Sequence, residues 1–302
     1  MRARKIVLTF MFLLIAMVCG KNLMSKSSTF SPTVSCKEEN FGHYLFLKPI
    51  DLSYIEFTPK PSFENLSFLG DEGKYGLENC DARTRTIGIF MRALRFENIT
   101  SAVEEKYGLP KYTLLTMLMQ ECNGINYLPN GRNDGGIGLI HMQPALATQF
   151  GLKTYNGCTD LVCFNHGKDL RFLITSNTSS PEKLIEYDDR FHPIINIDAA
   201  GRMMKYYSEL KCIGKDAWDS AHKRYAGKYN YKQYTINLRY YLKFLNDEAF
   251  LAEVENEFNA LNPNLLVDGQ PADFKKFIDV NHSYNRNFEL DKYQIFEPGN
   301  RP

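Results

Sequence analysis

The chain has 302 residues, of which 44% are hydrophobic and 24% charged, and its 36 Lys and Arg against 35 Asp and Glu give a net charge of +1. This apolar content at near-zero net charge is typical of a folded globular protein and excludes a chain that is disordered throughout. It also excludes nucleic-acid binding driven by bulk charge, because no basic excess is present to displace counterions.

The beginning of the chain predicts an export signal. A cationic start precedes an apolar run over residues 6–18, and this run is shorter than the ~20 residues that a membrane-spanning helix needs. Residues 1–19 are therefore expected to be a signal peptide, and the mature protein is expected to be periplasmic. The sequence leaves two ways in which the leader could be processed. Cys19 resembles the lipidated cysteine of a bacterial lipoprotein, which would anchor the protein to the outer membrane, whereas ordinary cleavage after Gly20 would leave no lipid anchor.

The pattern after the leader predicts a mainly α protein. Residues 20–84 are expected to form a tether and an irregular extension, because their polar residues, prolines and glycines follow no helical period. Residues 85–247 are expected to form one helical domain, and 248–302 a C-terminal helix and a polar tail. The predicted helices span 85–106, Pro110 to Cys122 with Gly124 as its stop, 144–150, 166–174, 196–210, 215–226, 231–246, and Leu251 to Leu261.

Glu121 interrupts the apolar face of its predicted helix. Leu118, Met117 and Leu114 precede it by three, four and seven residues and so share its face. An acid on an apolar face is costly to ionise, and a general acid that works near neutral pH uses this property. The alternative is that Glu121, three residues before Gly124, is a solvated residue at the fraying end of the helix.

The segments that follow Glu121 resemble the signature of the soluble lytic transglycosylases and their goose-type lysozyme relatives. Glu121-Cys122 is similar to the Glu-Ser that ends the family's catalytic helix. The family's later motifs have counterparts in the same order, over roughly residues 85–247. These are Gly136-Ile137-Gly138-Leu139-Ile140-His141, Met142-Gln143-Pro144, the helix that begins Asn196-Ile197, the turn Arg224-Tyr225-Ala226-Gly227, and Tyr240-Tyr241.

The resemblance implies a lysozyme-like fold and cleavage of the β-1,4 bond between N-acetylmuramic acid and N-acetylglucosamine in peptidoglycan strands. Glu121 would protonate the glycosidic oxygen and then act as base on the 6-hydroxyl of muramic acid. The product would carry a 1,6-anhydro end, so that one carboxylate suffices where ordinary glycosidases need two. Tyr225 would also orient Glu121. The implied substrate contacts are Gly136, Gly138, Leu139, Ile140, His141, Gln143 and Tyr225, with Asn196 as an auxiliary residue.

Two other functions remain open. Asp134 follows Glu121 by 13 positions and could position a water for hydrolysis with inversion, although Asn133-Asp134-Gly135 is also a strong turn signal. The chain also departs from the family pattern. His141 stands where the family has glutamine, unless Gln143 takes that role, and Ala226 replaces an asparagine. These departures leave room for a catalytically weak peptidoglycan-binding protein with unknown partners in the cell envelope.

The cysteines and histidines predict disulfides rather than a metal site. Without Cys19 six of the seven cysteines remain, an even set that can pair fully in an oxidising compartment. A bridge between Cys36 and Cys80 would clamp the extension. Cys158 and Cys163 lie close enough to suggest zinc, but export favours disulfides, and the histidines lack ligand-like spacing. No cofactor is expected. The six cysteines are Cys36, Cys80, Cys122, Cys158, Cys163 and Cys212.

Overall fold

The computed structural model describes residues 81–126, 135–155, 169–170, 172–174, 176, 181–210, 217–261, 266–267 and 270–271. This part of the chain is mainly helical, as the sequence predicts. No helix within it is long and apolar enough to cross a membrane. The leader with Cys19, the predicted tether and most of the C-terminal tail lie outside the described residues.

The described residues contain seven α-helices with defined bounds and three short 3-10 turns. Residues 169–170, 172–174 and 176 also have helical backbone. Two short strands pair in antiparallel fashion near the end of the described residues. The α-helices are α1 (Ala82–Ala93), α2 (Glu97–Tyr107), α3 (Thr113–Cys122), α4 (Pro144–Gln149), α5 (Pro193–Glu209), α6 (Ala217–Leu245) and α7 (Glu248–Leu261); the strands are β1 (Leu266–Val267) and β2 (Gln270–Pro271); the 3-10 turns are Leu94–Phe96, Pro181–Glu186 and Asp189–Phe191.

Several predicted helix boundaries are corrected. The single helix predicted over 85–106 is two helices, because the turn Leu94–Phe96 tightens to 3-10 geometry and buries all three of its side chains. The helix after Pro110 begins only after Tyr112, whose left-handed backbone (φ 66°) ends any helical run before it. The gap predicted after residue 226 is a break at Gly227 (φ 75°, ψ 155°) inside α6.

Helix α3 is central to the core, in contact with α1, α2, α5 and α6. Its apolar side chains are fully buried: Leu114, Leu115, Met117, Leu118 and Met119. The C-terminal helix α7 joins the same core, where Phe250 packs edge-on against Phe90 with ring centroids 5.0 Å apart. A helix that packs against four others has little freedom to shift, so α3 provides a rigid support for its own polar residues.

Cys122, the last residue of α3, is a buried free thiol. Its Sγ atom lies 3.4 Å from the Leu118 carbonyl, to which it donates, and burial raises the pKa of the thiol to about 12. The expectation that all six mature cysteines form disulfides is therefore wrong for Cys122, because its side chain lies inside the core. The other cysteines lie outside the described residues.

Candidate active site

The N-terminal end of α3 is fixed by a buried carboxylate. Glu104 of α2 accepts hydrogen bonds from the backbone N–H groups of Tyr112 (2.8 Å) and Leu114 (2.7 Å). These are donors that the first turn of a helix leaves without intrahelical partners. Burial raises the pKa of Glu104 to about 7, against the opposing effect of the backbone hydrogen bonds. A side chain of one helix thus caps the next, which fixes where α3 begins.

The C-terminal end of α3 is fixed by two buried arginines, Arg92 in the last turn of α1 and Arg95 in the 3-10 turn that follows. Arg92 Nε donates to the Asn123 carbonyl at 2.9 Å, and Arg95 Nη2 donates to the Gly124 carbonyl at 3.3 Å. Cations at this end of a helix are favourable because its last carbonyls carry partial negative charge. Gly124 (φ 78°) also permits the approach, since an added Cβ would lie 2.6 Å from Arg92 Cβ. Both ends of α3 are therefore anchored.

Glu121 lies in the last turn of this anchored helix. Leu114, Met117 and Leu118, which share its face, are fully buried, and the Glu121 side chain is 18% exposed. This is the placement expected for an acid on an apolar face, and it does not fit a solvated residue on a fraying end. One side of the carboxylate therefore has apolar neighbours, and a small part of it remains open to solvent.

Three polar side chains surround the Glu121 carboxylate. His141 Nδ1 lies 3.6 Å from Glu121 Oε2. The hydroxyls of Tyr225 and Tyr234 face the same carboxylate: burial first, and the charge of Glu121 second, raise the pKa of both phenols. The Tyr225 hydroxyl donates to the Ile140 carbonyl at 2.7 Å. The buried Tyr234 hydroxyl has no hydrogen bond of ordinary length within the described residues.

The break at Gly227 explains how one helix supplies both tyrosines. Tyr225 and Tyr234 are nine residues apart, and at about 100° per residue they would lie on opposite sides of a straight helix. Gly227 has a non-helical backbone between them, and their rings lie 5.6 Å apart. Tyr225 was expected near Glu121 from the family motif. Tyr234 is not among the residues that the family motifs indicated, and helical periodicity does not place it beside Tyr225.

The glycine-rich segment forms a closed turn in front of Glu121. Ile137 and Met142 pair across it, with the Met142 N–H donating to the Ile137 carbonyl at 3.0 Å. Gly138 (φ 78°) sits against the start of α5, where an added Cβ would lie 2.2 Å from the Arg190 carbonyl and 2.5 Å from Asn196 Nδ2. Close packing inside the protein is thus a sufficient reason for glycine at this position.

Two residues from the start of α5 and the turn before it hold this segment. Asn196 Oδ1 accepts from the Ile140 N–H at 2.9 Å, while Tyr225 binds the carbonyl of the same residue. Buried Arg190 donates through Nη1 to the carbonyls of Gly135 (2.7 Å) and Met142 (2.8 Å). Both ends of the turn and its middle are therefore bound to neighbouring elements.

Arg190 is itself held by a buried acid that the sequence motifs did not predict. Asp188 accepts from Arg190 Nε at 2.9 Å and from Arg190 Nη2 at 2.7 Å, and both side chains are fully buried. A bidentate pair of this kind fixes the plane of the guanidinium group. The charged triplet Asp188-Asp189-Arg190, which ends three residues before the first residue of α5, is a signal in the sequence that could have indicated this acid.

The remaining predicted site residues fall into four cases. The side chains of Leu139 and Ile140 are fully buried in the core, so only their backbone could meet a ligand. Gly136 is buried in the turn. Gln143 is the residue before α4, and its Oε1 is buried with no hydrogen bond within the described residues. Asp134, proposed as a second carboxylate, lies outside the described residues.

Comparison of the chain with protein-family models, with curated proteins and with solved structures finds no match. The lysozyme-like fold inferred from the motifs therefore stays a prediction, within a chain whose described part is mainly helical. Among the described residues, no group of three or more His, Cys, Asp or Glu side chains is placed to hold a metal ion.

Proposed function

We propose that this chain is a peptidoglycan lytic transglycosylase that cleaves the β-1,4 bond between N-acetylmuramic acid and N-acetylglucosamine. The observation that carries the proposal is the convergence of three separate motifs on one carboxylate. Glu121 from α3, His141 from the glycine-rich turn and Tyr225 from α6 are distant in sequence and adjacent in space. Glu121 and Tyr225 match residues of the family's motifs, and His141 stands at a motif position where the family has glutamine.

The mechanism uses Glu121 first as acid and then as base. The protonated carboxyl donates its proton to the glycosidic oxygen while the bond from that oxygen to C1 of muramic acid breaks. The resulting carboxylate then takes the proton of the 6-hydroxyl, whose oxygen forms a new bond to C1. No water is consumed, so the reaction needs only one carboxylate.

The surroundings of Glu121 support both halves of this cycle. The buried apolar side chains behind it reduce the access of water, which strengthens the electrostatic interactions at the carboxylate. The hydroxyl of Tyr234 can donate to the ionised form or accept from the protonated form, because a hydroxyl serves as donor and as acceptor. The anchored ends of α3 keep the acid at a fixed position relative to the turn that faces it.

The products of digestion test this proposal against hydrolysis. Purified protein is incubated with peptidoglycan, and the released fragments are analysed by mass spectrometry. Transglycosylation predicts 1,6-anhydro ends, which are lighter than the reducing ends of hydrolysis by the mass of one water. Reducing ends would instead support a muramidase that uses a second group such as Asp134. The absence of cleavage would leave a peptidoglycan-binding protein.

The proposed substrate lies outside the inner membrane, in agreement with the export signal predicted at residues 1–19. The proposed location is the periplasm, with attachment to the outer membrane if Cys19 carries lipid. Globomycin, which blocks processing of lipoprotein leaders, separates the two endings. Accumulation of the unprocessed precursor indicates lipidation at Cys19, and unchanged processing indicates cleavage after Gly20.

A further inference from the structure

His141 has a left-handed backbone conformation, which is uncommon for residues other than glycine. Its φ is 40°, in the left-handed region that residues with a side chain rarely adopt. The ring is 7% exposed, and its Nδ1 atom lies 3.6 Å from Glu121 Oε2. Strained backbone of this kind is concentrated at functional sites, where it holds a side chain in a required position.

The neighbours of His141 in the chain explain why the strained conformation persists. The peptide of Ile140, directly before it, is bound at its N–H by Asn196 and at its carbonyl by Tyr225. The carbonyl of Met142, directly after it, accepts from Arg190. Residue 141 is thus fixed from both sides, and its own N–H donates to the Gly138 carbonyl at 3.1 Å. These hydrogen bonds hold residue 141 in its left-handed conformation.

We propose that His141 is a positioning residue, which holds the Glu121 carboxylate in its working orientation through Nδ1. This inference rests on the proposed function and deepens it. The left-handed backbone of His141 directs its ring from the glycine-rich turn toward the C-terminal end of α3. The strained conformation therefore places the ring beside Glu121 as well as closing the glycine-rich turn. The family that the chain resembles has glutamine at this position.

Two substitutions at His141 separate positioning from a purely structural role. His141→Gly keeps the left-handed backbone, which glycine adopts readily, and removes the ring. His141→Asn also keeps that backbone, because asparagine is enriched there, and it places a hydrogen-bonding atom one bond beyond Cγ, where Nδ1 stands in histidine. The two variants therefore differ at the contact with Glu121 and share the backbone conformation.

The steady-state constants kcat and KM are measured on soluble, uncrosslinked glycan strands. We expect His141→Gly to lower kcat by roughly 100-fold, the effect of a small misplacement of a catalytic group, with little change in KM. His141→Asn should recover most of this loss. Wild-type kcat in His141→Gly would overturn the inference, and so would a folded His141→Asn variant as slow as His141→Gly. Circular dichroism establishes that each variant is folded.

A second measurement tests the contact without requiring activity. The ¹⁵N chemical shifts of the His141 ring are compared between the wild-type protein and Glu121→Gln, which removes the carboxylate charge. We expect the ring shifts to change, and unchanged shifts would overturn the inference. A wild-type protein that cleaves no glycan would refute the proposed function, while this measurement would still decide whether His141 contacts Glu121.

Discussion

Replacement of Glu104 by glutamine tests how the helix that carries Glu121 is anchored. The Glu104 carboxylate is buried and accepts from two backbone N–H groups at the start of α3, those of Tyr112 and Leu114. Burial raises its pKa from the ordinary value of 4.5 to about 7. Glu104→Gln keeps the size of the side chain and removes its ability to ionise.

The shift in the pKa of Glu104 gives both the sign and the size of the effect. Because the pKa is raised in the folded state, the stability contributed by the protonated form is fully present below pH 4.5 and is lost as the pH rises to about 7. The difference of about 2.5 pH units corresponds to about 3 kcal/mol in the free energy of unfolding. Glu104→Gln removes this dependence on pH.

The glutamine side chain has its own cost. Its amide NH₂ group must face one of the two backbone N–H donors, so one hydrogen bond is lost, at about 1–2 kcal/mol. We therefore expect the variant to be less stable than the wild type below pH 4.5. As the pH rises from 4.5 to 7, the free energy of unfolding of the wild type should fall by about 3 kcal/mol relative to that of the variant, because only the wild type acquires a buried charge.

Urea denaturation of both proteins at a series of pH values measures this difference. Glu105→Gln, the same change at the exposed neighbouring residue of α2, is the matched control and should show no comparable movement. His192 also makes stability depend on pH, because burial lowers its pKa to about 3 and the fold is destabilised as the pH falls from 6.5. This contribution is the same in all three proteins and cancels in the comparison. A difference between wild type and Glu104→Gln that stays constant from pH 4.5 to 7 would refute the reasoning.

Two further substitutions test the turn and the tyrosine pair. Gly138→Ala should destabilise the fold by about 3 kcal/mol, because its Cβ would meet the Arg190 carbonyl in addition to the cost of a left-handed alanine. Gly151 also has a positive φ but has open space around it, so Gly151→Ala should cost only about 1–2 kcal/mol. Equal losses of stability for the two variants in thermal melts would contradict the packing argument. Tyr234→Phe removes a buried hydroxyl that has no ordinary hydrogen bond within the described residues, so stability should change by less than about 1 kcal/mol. Its kcat should fall nonetheless, and an unchanged kcat would show that this hydroxyl does not serve Glu121.

The sequence predicted the features of this chain that depend on local periodicity. The mainly helical content, the apolar face of α3 and the position of Glu121 on that face follow from residue spacing along single helices. The family resemblance indicated Asn196 and Tyr225, and the structure brings both to the turn that faces Glu121.

The features that escaped prediction depend on contacts between distant segments. Arg92, Asp188 and Arg190 look like surface charges in the sequence, yet each is buried against carbonyls or an opposite charge supplied from elsewhere. Tyr234 reaches Glu121 only because Gly227 breaks the helical phase, and a glycine inside a helical pattern does not reveal the angle of that break. Tertiary packing determines where these side chains lie, and the residue spacing within one segment does not reveal tertiary packing.

The rate of peptidoglycan cleavage by Glu121→Gln tests the central claim most directly. The release of soluble fragments is compared among the wild type, Glu121→Gln and the exposed control Glu105→Gln, all shown to be folded. With Glu121 as the acid and base, we expect its variant to lose activity by roughly 10²–10⁴-fold and the control to retain the wild-type rate. Cleavage by Glu121→Gln at the wild-type rate would contradict the account.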